Sequence, residues 1–301
     1  MRVQLQPLCS SFSNPLANQF GLIPVSSLPV SFDSSQRNGF KRAHLKLRRN
    51  QRIVISATNE QSPSIDSGRK RKVVEHICLL KAKQDLSDEE ETDMLDHLYT
   101  TQYQMGGVVA ISLGRISASN PENYTHGLFM RFQRREHLEK FYENPFYLKV
   151  LKEHVFTYCH GLMNVDYEAE VEDEMLSIFR KGEEFNFGVE FEFNFGVEFV
   201  ILISFLDGVS AEKVEDALTS LASLTSGSPS LIVQATQGLS FTPSSKDYTH
   251  GAVIRFRSVE AFEIFMSSKE YKDMWLSKFQ PITQKALSLH YSVDPVGTEI
   301  M

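Results

Sequence analysis

The sequence lacks several things, and each absence removes a class of function. Its 301 residues hold no apolar run of about 18 residues, the length a membrane-spanning helix needs. Only three cysteines occur, Cys9, Cys78 and Cys159, and their spacing supports neither a disulfide scaffold nor a zinc cluster. There is no phosphate-binding glycine loop, no GxSxG, no HExxH and no CxxC. Acids are scarce in one region. Residues 1–60 carry eight Lys/Arg against Asp33 and Glu60, a balance of +6. The remaining chain balances at −13, which together give the net −7. An acidic body repels phosphate, which argues against a nucleic-acid protein.

What is present divides the chain. Residues 1–57 are Ser-rich, basic and acid-poor, the composition of an organellar transit peptide. Ile53-Val54-Ile55-Ser56-Ala57 resembles a plastid processing site, so the expected destination is the chloroplast, with mitochondrion or peroxisome as alternatives. Residues 58–71 read as a disordered linker.

The body is one unit written twice. Asn123-Tyr124-Thr125-His126-Gly127 through Phe132 matches Asp247-Tyr248-Thr249-His250-Gly251 through Phe256 at an offset of 124. The same offset pairs Phe141 with Phe265, Tyr147 with Tyr271 and Tyr167 with Tyr291; upstream, Glu75 pairs with Glu198 at 123. Each copy reads strand, helix, two strands, split helix, strand. Ser87 with Glu90 forms a capping box, and Ser210 stands at the same place in copy two. This order predicts an α+β fold of two ferredoxin-like units, residues 72–168 and 197–293. Such a unit leaves one apolar sheet face bare. Two of them can bury those faces together as an intramolecular pseudo-dimer around an eight-stranded barrel. Residues 169–196 read as an acidic linker and 294–301 as a tail. Within the linker Phe185–Phe191 recurs as Phe193–Phe199, offering two competing starts for the second unit.

Glu75-His76-Ile77-Cys78-Leu79-Leu80-Lys81, the two Tyr-Thr-His-Gly strands and the Ser-plus-acid helix openings resemble the stress-responsive dimeric α/β-barrel family. The resemblance extends to the double-domain plant members with a leader. The resemblance implies a fused dimer, further self-association as an option, and no defined activity. One branch of the family is a polyketide cyclase with the motif Tyr-x-x-His-Pro-x-His. Here Pro145 matches, but Phe141 and Tyr147 stand where the catalytic Tyr and His belong, with Phe265 and Tyr271 in copy two. Phe cannot hydrogen-bond and Tyr is a poor base at neutral pH, so that chemistry is not expected. The resemblance also implies Mg²⁺ on main-chain oxygens at the end of the first helix, among Ala222, Thr225 and Ser228 in copy two. The corresponding residues in copy one are Tyr99, Gln102 and Met105.

The candidate ligand-binding residues are His76, Tyr124, His126, Tyr147, His250 and Tyr271. His76 shares strand parity with Val74, Cys78 and Leu80. The expected function is binding of a small apolar ligand or protection of other proteins. The alternative is an enzyme on apolar, polyketide-like substrates, which requires His76, His126 and Tyr147 to converge.

Overall fold

The computed structural model describes residues 70–172, 196–242 and 247–293. The first half runs β1 (Lys70–Ala82), α1 (Asp88–Thr100), β2 (Val108–Arg115), β3 (His126–Phe132), α2 (Arg135–Glu143), α3 (Pro145–Val150) and β4 (Cys159–Glu172). A π-helical turn, Leu151–Val155, follows α3. The second half repeats this as β5 (Val197–Phe205), α4 (Ala211–Ser226), β6 (Ile232–Leu239), β7 (His250–Phe256), α5 (Val259–Ser267), α6 (Lys269–Met274) and β8 (Thr283–Ser292). Its π-turn is Trp275–Phe279. Short apolar runs buried on both faces make the inner strands and turn residues stop them, so β2 has the bounds its sequence suggests.

Two antiparallel four-stranded sheets result, ordered β2-β3-β1-β4 and β6-β7-β5-β8. They pack face to face over a shared core that includes Ile77, Leu79, Phe129, Val165, Leu202 and Leu289. Their edges meet at two seams. Tyr167 bridges Ser240, and Ile116 bridges Tyr291, which closes eight strands into the expected barrel. Each half keeps a second core between its sheet and its own helices.

The repeated His-Gly pair finds its reason at the seams. The ring of Tyr291 lies on Gly114 and Gly127, where a Cβ on Gly127 would stand 2.4 Å from it. Tyr167 lies in the same way on Gly238 and Gly251. Each half therefore provides a glycine slot for the other half's last strand. Between the sheets sit four buried charges, Glu75 with Arg131 and Glu198 with Arg255. Ser112 of the first half donates to Glu198 of the second at 2.8 Å.

Two expectations change. Ala169–Glu172 belong to β4, not to a linker, and Lys70 and Arg71 already belong to β1. Opposite charges face each other there, Lys72 with Glu170 and Lys70 with Glu172, and such cross-strand pairs extend the ladder. The capping box of α1 is formed, with Ser87 and Glu90 exchanging bonds of 3.3 and 3.0 Å. Ser210 occupies the N-cap of α4 but its side chain makes no cap bond. The leader 1–57, linker residues 58–69 and 173–195, and the tail 294–301 lie outside the described residues, as does the 185–195 part of the local duplication.

Candidate functional site

His76 stands in the middle of β1, on the face turned to α2 and α3, alongside Val74, Cys78 and Leu80. Its cross-strand neighbour on β4 is Asp166. His76 Nδ1 donates to Asp166 Oδ1 at 2.6 Å. Tyr142, near the end of α2, donates to Asp166 Oδ2 at 2.8 Å. Thr242, from the second half, donates to the same oxygen at 2.7 Å and accepts from the Asp166 backbone N–H at 2.6 Å. One carboxylate thus gathers a strand, a helix and the opposite half. Burial, and next the charge of Asp166, push the Tyr142 phenol far above its ordinary range, so it serves as a donor and not as a base.

In the neutral imidazole the Asp166 bond holds the Nδ1 proton inward and leaves the lone pair on Nε2. Nε2 is buried and has no hydrogen-bond partner among the described residues. The rings of Phe141 and Tyr142 each lie with centroids 5.6 Å from that of the imidazole, and the ring of Phe132 at 6.3 Å. Two residues along β4, Asn164 Oδ1 is a second buried acceptor without a partner among the described residues. Buried polar atoms are nearly always paired, so two orphans on one sheet face mark a place where something else can bond.

The second half does not repeat this arrangement. The matching positions hold Phe199, Met266 and His290, and His290 packs 4.3 Å from the Phe262 ring. The polar cluster belongs to one half only.

The other candidates lie elsewhere. Tyr147 is in the same layer as His76, packed on Phe141 at 3.9 Å. His126 is on the same sheet face but four residues further along the ladder, opposite Leu80 where His76 is opposite Met130, roughly 13 Å away. There its Nε2 donates to Glu91 at 2.8 Å. Tyr124 and Tyr248 point into the barrel, on the opposite face from His76. His250 is half-buried against Phe205. Tyr271 lines an open, mostly apolar cavity of about 560 Å³ with Trp275 and Pro121. His76, His126 and Tyr147 therefore do not converge, and the enzymatic alternative loses the constellation it needs. Sequence reading passed over Tyr142, Asp166 and Thr242; comparing the two copies position by position would have marked the first two, since both change together with His76.

At the end of α4, Ala222 and Thr225 border a cavity of about 400 Å³, while Ser228 is outside its lining. The Ala222 carbonyl already accepts from Thr225 Oγ1 at 3.0 Å, and the Thr225 carbonyl from the Ser228 N–H at 3.2 Å. These bonds finish the helix in the ordinary way and leave only second lone pairs for a cation.

The sequence profile of the stress responsive A/B barrel domain matches residues 74–169 and again 197–293. A curated relative in Arabidopsis thaliana, a stress-response A/B barrel domain-containing protein, is 29% identical over 149 residues, 49% of this chain and 52% of its own length. The chain spans about half the length of that relative. Among solved structures, a protein assigned as a monooxygenase from Fusobacterium nucleatum matches with a TM-score of 0.50 at 8% identity, over 74% of this chain and 92% of its own. An anthrone oxidase-like protein matches with a TM-score of 0.50 at 10% identity, over the same shares. At such identities the likeness is one of fold alone.

Proposed function

Because the chain belongs to the stress-responsive A/B barrel family and carries its domain twice, we propose that it is a stress-response protein whose first half binds one small apolar molecule bearing a hydroxyl donor. The observation that carries this reading is His76 Nε2: an acceptor fixed by Asp166, walled by aromatic rings and left without a partner. A hydroxyl on the ligand would satisfy Nε2, a second could reach Asn164, and the apolar body would pack on Phe132 and Phe141. His76 is wholly covered, so entry requires α2 to move aside, with Tyr142 swinging on it. The second half acts as the support, closing the barrel and holding Asp166 through Thr242. Plastid import through the leader belongs to this proposal. So does a weakly held Mg²⁺ at the Ala222 and Thr225 carbonyls.

The test is thermal shift with hydroxylated aromatics and their O-methyl ethers, which keep the shape and lose the donor. His76→Phe copies the second half and should fold. The expected result is stabilisation by the hydroxylated compounds only, lost in His76→Phe. Equal stabilisation by the ethers, or an unchanged response in His76→Phe, would overturn the reading.

A further inference from the structure

Three side chains outside the His76 site meet on the outer side of the first half. Asp93 and His97 stand four residues apart on α1, one turn, and so share a face. His154 reaches them from the π-turn after α3. His154 Nδ1 lies 2.7 Å from Asp93 Oδ2, and His97 Nδ1 lies 3.3 Å from Asp93 Oδ1. The two imidazoles stack with centroids 3.4 Å apart and planes 11° from parallel. One ligand atom from each of the three residues falls within 4.8 Å of the others. Their side chains are 38%, 34% and 22% exposed for His97, Asp93 and His154, so an ion and its waters can reach them. His97 Nδ1 also lies 2.8 Å from the Asp93 carbonyl. A ligating imidazole is commonly oriented by such a bond, with the other nitrogen left to the metal.

The second half supplies an internal comparison. Asp216, Ser220 and Lys278 occupy the positions of Asp93, His97 and His154. There Lys278 Nζ sits 2.7 Å from Asp216 Oδ2, and Ser220 Oγ donates to the Asp216 carbonyl at 2.7 Å. The same carboxylate position is thus neutralised by a cation built into the chain. The first half has exchanged that ammonium, and the serine, for two imidazoles.

We propose that Asp93, His97 and His154 bind a first-row divalent cation of the zinc class. Two imidazoles and one carboxylate suit zinc and its neighbours and do not suit magnesium or calcium. Bonds of about 2.0–2.1 Å around a tetrahedral ion place ligand atoms roughly 3.3–3.4 Å apart. The His154 Nδ1–Asp93 Oδ2 spacing of 2.7 Å needs only a small opening, and the stacked His97 ring turns to bring its Nε2 onto the ion. The ion takes the place of the proton between His154 Nδ1 and Asp93, and that proton moves to His154 Nε2. Solvent fills the remaining coordination.

The test is a Co²⁺ titration of the tag-free full chain, followed by visible d–d absorption, with Zn²⁺ as competitor. His154→Lys and His97→Ser each restore what the second half carries, and His154→Lys gives Asp93 its own ammonium. One Co²⁺ per chain is expected, displaced by Zn²⁺, with binding weakened at least about tenfold in each variant that keeps the wild-type circular dichroism spectrum. The absence of a stoichiometric Co²⁺ signal from the wild type would overturn the proposal, and so would undiminished binding in either variant.

Discussion

A buried histidine beside a guanidinium resists protonation, and His126 is such a residue. Burial first, and the Arg115 charge second, push it down to about 4 from 6.5. The unfolded chain therefore binds a proton that the folded chain refuses as pH falls through that window. Stability from this group is full above pH 6.5 and is lost as pH drops towards 4. His250 and His290 are lowered by burial in the same sense. Urea unfolding across this range should show stability falling with acidification, with a shallower slope in His126→Asn; an identical slope would remove His126 as the cause. The face His76 occupies was legible, because strand parity placed it with Val74, Cys78 and Leu80. Its partners were not. Asp166 is 90 residues away and Tyr142 is 66, and no local pattern ties residues at such separations.

Elements were more legible where their pattern was local. A short apolar run delimits β2, and the Ser87–Glu90 box marks the start of α1. Both are interactions within a few residues. The full length of β4 was hidden, because Glu168, Glu170 and Glu172 look like a solvated charge run until Lys70 and Lys72 are set opposite them. Likewise Tyr-Thr-His-Gly repeats visibly, yet the need for its glycine comes from a tyrosine in the other half. That need is unequal. A Cβ on Gly127 would stand 2.4 Å from Tyr291, whereas on Gly251 its nearest neighbour is Tyr167 at 3.0 Å. Gly127→Ala should destabilise by about 1–3 kcal/mol, the usual range for overpacking. Gly251→Ala should cost less. Denaturant midpoints of the two variants decide it, and equal costs would contradict the seam geometry.

At the scale of the molecule, the tandem repeat announced the fused barrel, while the division of labour between halves lay in single substitutions scattered over it. The barrel interior holds Glu75 and Arg131 with almost no solvent. Burial raises the Glu75 carboxyl, against the opposing pull of Arg131 beside it. Removing one member leaves the other charge stranded, so Arg131→Met should cost about 3–5 kcal/mol. Replacing both, as Glu75→Leu with Arg131→Met, should recover most of that. Chemical unfolding of the single and double variants measures the difference, and a double variant no more stable than the single would show that the pair matters beyond its charges.

The glycine slots also set an order in time. Gly114 and Gly127 wait for Tyr291, and Tyr291 lies on β8, the last strand of the second half. Once Glu172 has been added to the chain, 110 residues must still be made before β8 begins at Thr283. At about 5–20 residues per second this takes roughly 6–22 seconds. Throughout that interval the first half presents an uncovered apolar sheet face to the cell.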